Sequence, residues 1–189
     1  MVTWKKVIRY AKVGILAAIG LFFVALLILS IYLAINCMYY IKDNKHIKAQ
    51  LITMNINYKY NDSGGLGIIG NNASYSFSLG DYRVYLELAN YPLFTKYQEL
   101  YQPLGDCKCM VAIKFKNSEH ISGIKLGDKN CAFQMGDDDP RPKSIQIYFG
   151  RGNTVIKCEM WGPPGVDITT TKEYNEMLRL LTLIDNSLK

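Results

Sequence analysis

From Val13 to Ile35 the chain reads VGILAAIGLFFVALLILSIYLAI, 23 residues without a charge. Coiled at ~1.5 Å per residue, such a run reaches about 34 Å, enough to cross a hydrocarbon core ~30 Å thick. The pattern then changes. Residues 41–50, IKDNKHIKAQ, are polar and read as a juxtamembrane connector. From Ile52 a period of two sets in: Ile52, Met54, Ile56, Tyr58 and Tyr60 alternate with Thr53, Asn55, Asn57 and Lys59, which predicts a half-buried strand. A polar, Gly-rich stretch from Asn61 to Asn72 follows. Tyr75, Phe77 and Leu79 then alternate with serines, and Gly80-Asp81 supplies a hairpin turn. The return strand carries Tyr82, Val84, Leu86 and Leu88 on one face.

Between Asn90 and Asp106 the spacing becomes helical, with Leu93, Phe94, Tyr97, Leu100 and Tyr101 behind Pro92, closed by Pro103 and Gly105. Strand patterning resumes with Cys107, Cys109, Val111, Ile113 and Phe115 on one face. Further strands are predicted over 120–126, 131–135, 143–149 and 153–160, punctuated at Asn117-Ser118, Gly127-Asp128-Lys129 and Gly150-Arg151-Gly152. Connections this short force antiparallel neighbours, because a parallel crossover takes a dozen residues or more. At the C-terminal end Thr170 and Glu173 have capping-box spacing, and Tyr174, Met177, Leu178, Leu181 and Ile184 form one helical stripe. The pattern as a whole predicts an α+β chain: a transmembrane helix, then one domain of about seven or eight antiparallel strands with a short internal helix and a C-terminal amphipathic helix. The boundaries it suggests are a basic tail over 1–12, an anchor over 13–36, a connector over 37–50 and the domain over 51–189.

Charge changes the picture less than the total suggests. Of the net +6, four come from Lys5, Lys6, Arg9 and Lys12; the 18 Lys and Arg beyond the apolar run face 16 Asp and Glu, a net of +2. A near-neutral domain is a poor nucleic-acid ligand, and the basic tail suits anionic headgroups instead. At 23 residues the apolar run is longer than a secretory h-region of ~7–15, and no Ala-x-Ala site follows, so an uncleaved anchor is expected. Asn36 before Cys37 also departs from a lipidation site, which needs a small residue there. Four basic residues and the amino terminus before the span against Lys42, Lys45 and Lys48 after it are a narrow bias, and the cysteines beyond the span tip it towards a cytoplasmic N-terminus in the inner (cytoplasmic) membrane, with the domain in the periplasm. Trp4, Tyr10, Tyr39 and Tyr40 flank the span as interfacial aromatics do.

Candidate chemistry is sparse. Gly65-Leu66-Gly67-Ile68-Ile69-Gly70 matches GxGxxG, but a strand pattern follows where a dinucleotide site needs a helix. Ile68 and Ile69 remain candidates for a partner contact. Cys107, Cys109, Cys131 and Cys158 are an even set in an exported domain, so two disulfides are expected, such as Cys107 to Cys131 and Cys109 to Cys158. Gly136-Asp137-Asp138-Asp139-Pro140-Arg141-Pro142 lacks the ligand spacing of a calcium loop and reads as an acidic contact for a basic partner. His46 and His120 are the only histidines, and with Asp137 and Asp139, His120 is the only catalytic material; no nucleophile or zinc motif is present. No cofactor, metal or enzymatic activity is expected. Tyr85 and Tyr148 are expected on the surface, where tyrosine suits an interface. The expectation is a membrane-anchored, extracytoplasmic module that binds one protein, specifically an immunity-type protein neutralising a toxic effector in the periplasm. A scaffold subunit of an envelope secretion or assembly machine, and a membrane-surface hydrolase, are the alternatives.

Overall fold

The structure, a computed structural model, describes residues 4–62, 71–90, 118–135, 143–152 and 154–188. Helix α1 runs unbroken through Trp4–Thr53, 50 residues, about 75 Å at ~1.5 Å per residue. From Tyr10 to Ile35 every side chain except Leu33 is exposed. That bare apolar length is sufficient to cross a membrane.

Beyond it the helix changes role without breaking. Asn36, Tyr40, Asp43, Asn44, Ile47 and Leu51 are all buried, spaced by threes and fours along one stripe. The expected connector over 37–50 is thus helix, and one face of it belongs to the core. The strand expected from Ile52 starts six residues later, with β1 at Tyr58–Asp62. What intervenes is a helix stop. Asn55 takes φ 55°, its N–H bonds to Ile52 O, and the Ile56 N–H bonds to Leu51 O. This is a Schellman cap, in which a left-handed residue lets the last carbonyls find donors.

The sheet follows as β2 (Asn71–Leu79), β3 (Tyr82–Asn90), β4 (Ser118–His120), β5 (Lys129–Met135), β6 (Ser144–Arg151) and β7 (Thr154–Trp161). Among the described residues seven strands pair antiparallel in the order β1-β2-β3-β7-β6-β5-β4. Two meanders, β1–β3 and β4–β7, therefore lie side by side and are joined along β3 and β7, where Leu86 faces Cys158. The β2–β3 hairpin closes as expected, Leu79 opposite Tyr82 with Gly80 at φ 55° in the turn. The strand expected over 120–126 shrinks to Ser118–His120. Past it Gly123 turns the chain at φ 88°, and Ile121, Ile124 and Leu126 pack onto the core instead of continuing the edge. The internal helix expected near 93–101 and the strand over 107–115 lie outside the described residues.

Helix α2, Lys172–Ser187, begins one residue later than the expected capping box. Asp167 caps the 3-10 turn Ile168–Thr170 through the Thr169 N–H, and those bonds hold its carboxyl below the usual range. Thr170 is thereby occupied, and Thr171 caps α2 by accepting from the Tyr174 N–H at 3.2 Å. Tyr174, Met177, Leu180, Leu181 and Ile184 face the core. The end of α1 and α2 together cover one face of the sheet, filled by Tyr75, Leu86, Ile147, Phe149, Ile156 and Met160. On the opposite face β5–β7 bury a second, smaller cluster of Cys131, Phe133, Tyr148 and Val155, whereas Ser76, Ser78 and Arg83 of β2 and β3 are exposed.

Candidate functional site

Helix α1 gives the domain two ends. Near Asn36 it leaves the apolar run, and at Thr53 it stops. Asp62, Asn71, Asn90, Arg151 and Thr154 lie at the strand ends nearest the membrane, and Tyr58, Leu79, Met135, Ser144 and Trp161 at the far end. Two places stand out, one at each end.

At the membrane end, polar side chains from α1 meet the sheet margin inside the fold. The Tyr40 hydroxyl donates to Asp62 Oδ1 at 3.1 Å, and the Tyr60 hydroxyl donates to Asp62 Oδ2 at 2.6 Å. Asn44 Nδ2 donates to Tyr60 Oη at 2.7 Å, and the Tyr75 hydroxyl donates to Asn44 Oδ1. Lys48 Nζ sits 3.5 Å from the centre of the Tyr60 ring, a cation–π contact. Burial and this neighbourhood of phenols raise the Tyr75 hydroxyl well above the usual tyrosine range. Further along, the Thr154 hydroxyl donates to Asp43 Oδ2 at 3.0 Å and accepts from Asn90 Nδ2 at 3.2 Å. Arg151 closes the row: its Nε donates to Asp185 Oδ1 of α2 at 3.0 Å, and Asp185 Oδ2 accepts the Gly127 N–H at 2.9 Å. Between α1 and this row lies a cavity of about 240 Å³, lined by Asn36, Tyr39, Asp43, Asn90, Arg151 and Thr154.

At the far end an open groove of about 1720 Å³ runs past Met54, Ile56, Tyr58, Arg83, Trp161 and Pro163. It combines apolar and charged lining on a surface turned away from the span. A third polar group lies on the second face of the sheet. Gln146 Nε2 donates to Glu159 Oε1 at 2.6 Å, Lys157 pairs with Glu159 at 3.3 Å, and the Tyr148 hydroxyl donates to Gln146 Oε1 at 2.8 Å. Burial lowers the Lys157 ammonium, but Tyr148 and Glu159 outweigh it and the net shift is upward.

The sites expected from sequence fare unevenly. Ile68, Ile69, Cys107, Cys109, Asp137, Asp138, Asp139 and Arg141 lie outside the described residues. His120 is exposed at the end of β4. Tyr148, expected on the surface, is buried and stacks on Phe133 at 6.1 Å; Tyr85 is half-buried. Cys131 is disulfide-bonded, yet no bond joins two described cysteines. Cys158 is a free, buried thiol, which corrects the expected second disulfide. The reason is facial: Cys131 stands opposite Tyr148 on the second face, while Cys158 stands opposite Ile147 in the main core. The two cysteines therefore open onto opposite faces of the sheet. Burial pushes the Cys158 thiol far above the usual cysteine range. It should resist alkylation in the native protein at pH 8 and become alkylatable, without reductant, once the chain is unfolded; peptide mass spectrometry reads both states, and native labelling of Cys158 would contradict this packing.

Sequence reasoning missed Asn36, Asp43 and Asn44, together with Asn90 and Thr154. A signal was available: residues 36, 40, 43, 44, 47 and 51 fall on one helical face. It was masked because Asp and Asn are read as connector residues. Among the described residues no three His, Cys, Asp or Glu converge as a metal site would require. No family model, curated protein or solved structure matches the chain.

Proposed function

We propose that this chain is a membrane-anchored, extracytoplasmic protein-binding module, most specifically an immunity-type protein that binds and neutralises a toxic effector in the bacterial periplasm. The observation that carries the reading is the continuity of α1, a single 50-residue helix whose first part is bare and apolar and whose last part is buried core. A domain fused to its anchor in this way stays within a thin layer beside the bilayer, which raises its effective concentration toward targets there. Its groove and free turns point away from the span. The excess of basic residues before the apolar run supports a cytoplasmic N-terminus in the inner membrane. The surroundings of Cys37 are regular helix leading into the core, which supports retention of the anchor. Met135 and Ser144, between which Asp137, Asp138, Asp139 and Arg141 fall in sequence, both end strands at the far end.

Affinity capture of the full-length protein from detergent-solubilised membranes tests this. One partner protein in stoichiometric yield is expected. Combining Asp137→Asn, Asp138→Asn and Asp139→Asn should slow its association and flatten the salt dependence while leaving the thermal midpoint unchanged. Recovery of no partner, together with hydrolase activity in the purified protein, would overturn the proposal.

A further inference from the structure

The cavity at the membrane end has an unusual balance of hydrogen-bonding groups. Asn90 is 1% exposed, and its Oδ1 is buried without a partner. Asp43 is 5% exposed; Thr154 donates to one of its oxygens, and no ion pair reaches it among the described residues. A buried carboxylate with a single hydroxyl donor and a buried amide oxygen with none are costly in an apolar surround. Both oxygens belong to residues that line the same space of about 240 Å³, much larger than the ~30 Å³ share of one water. Arg151 lies at its margin with a half-exposed side chain. Asp185 engages its Nε and Nη2, which leaves Nη1 for an anion.

Depth supplies the remaining constraint. The cavity is lined on the α1 side by Asn36, Tyr39 and Asp43, which at ~1.5 Å per residue stand about 2–12 Å beyond the apolar run. The headgroup layer of a leaflet is ~5–8 Å thick and begins where that run ends. The Asn36 and Tyr39 edge of the opening therefore lies within the headgroup layer, and Asp43 stands a few ångströms beyond it.

We propose that this cavity holds the primary ammonium of a phosphoethanolamine lipid headgroup, donating to Asp43 and to Asn90 Oδ1, with its phosphate toward Arg151. A primary ammonium has three donors to offer the Asp43 carboxylate and Asn90 Oδ1, whereas the quaternary ammonium of a choline headgroup has none. Binding adds no covalent step. It locks the sheet margin to α1 at the bilayer surface.

The test uses the full-length protein in detergent micelles doped with phosphatidylethanolamine or, separately, with phosphatidylcholine. Phosphatidylethanolamine should raise the thermal midpoint by about 4 °C, the scale for a domain of this size with ligand well above its dissociation constant. Phosphatidylcholine should leave it within error. Asp43→Asn, which keeps the shape and removes the charge, should abolish the difference. An arm with free O-phosphoethanolamine separates sources: a rise at millimolar concentration means that a soluble amine also serves. Native mass spectrometry of the unaltered protein gives a readout that does not depend on the variant folding, and retained phosphatidylethanolamine is the expected adduct. Equal response to the two lipids, survival of the difference in Asp43→Asn, or no retained phosphatidylethanolamine would each overturn the proposal. Failure of the protein-capture experiment would leave this site standing, because neither readout needs a protein partner.

Discussion

A fragment that begins at Leu51, where hydropathy alone starts the domain, will not fold, while one that begins at Asn36 will. Residues 36–50 contribute Tyr40 and Ile47 to the core, Ile47 being 0% exposed. Burying each such side chain is worth ~1.5–3 kcal/mol. The same segment supplies the Asn44 contacts to Tyr60 and Tyr75 and the Asp43 contact to Thr154. Removing it strips part of one sheet face of its cover and leaves the buried Tyr75 and Thr154 hydroxyls without these partners. The combined loss is about 5 kcal/mol or more, against a net stability for a domain of ~5–15 kcal/mol. Urea unfolding of the two soluble fragments, followed by far-ultraviolet circular dichroism, decides it. A cooperative transition at the same midpoint for both would show that α1 is merely a tether.

The second large effect is expected from Asp185→Ala. Asp185 ties α2 both to the end of β6 and to the turn before β5, holding Arg151 through two contacts at 3.0 Å and the Gly127 N–H at 2.9 Å. Gly127 cannot easily move in compensation. It sits at φ 61°, and a Cβ there would lie 2.5 Å from the Gly150 carbonyl oxygen, so the loop is pressed against β6. Arg151 is half-exposed and can recover water, which discounts the ion pair. The larger share comes from a part-buried N–H left without an acceptor, plus the lost buried charge contact. A destabilisation of ~2–4 kcal/mol follows, or a midpoint lowered by roughly 5–15 °C for a chain of this length. Asp185→Asn retains an acceptor for Gly127 and should recover part of the loss. Equal midpoints for Asp185→Ala and the unaltered chain would refute this account of the loop.

Local chemistry made some elements readable in advance. The β2–β3 hairpin is written in the alternation of Tyr75, Phe77 and Leu79 with serines and in Gly80-Asp81, because a two-residue turn fixes register with no help from the rest of the chain. The stripe of α2 is readable for the same reason, a repeat near 3.6 residues behind a hydroxyl cap. The end of α1 was not. Ile52, Met54 and Ile56 alternate like a strand, but Ile52 and Met54 fall on either side of the helix end, and the stop depends on one asparagine in the left-handed region. The expected bond to Cys158 failed for a different reason. Alternation tells that a cysteine points to an apolar face but not to which of two buried faces, and β6 is buried on both.

The sequence by itself therefore determined what depends on neighbours along the chain: an uncharged run long enough to span a bilayer, a meandering antiparallel sheet, and an amphipathic closing helix. Tertiary structure alone decided that the polar stretch after the span is a core helix, and that Asp43, Asn90 and Thr154, residues far apart in the chain, face one cavity. The physical reason is that a buried polar group looks like a surface residue until its partners are known, and those partners are supplied by strands that pair across the sheet rather than along the chain.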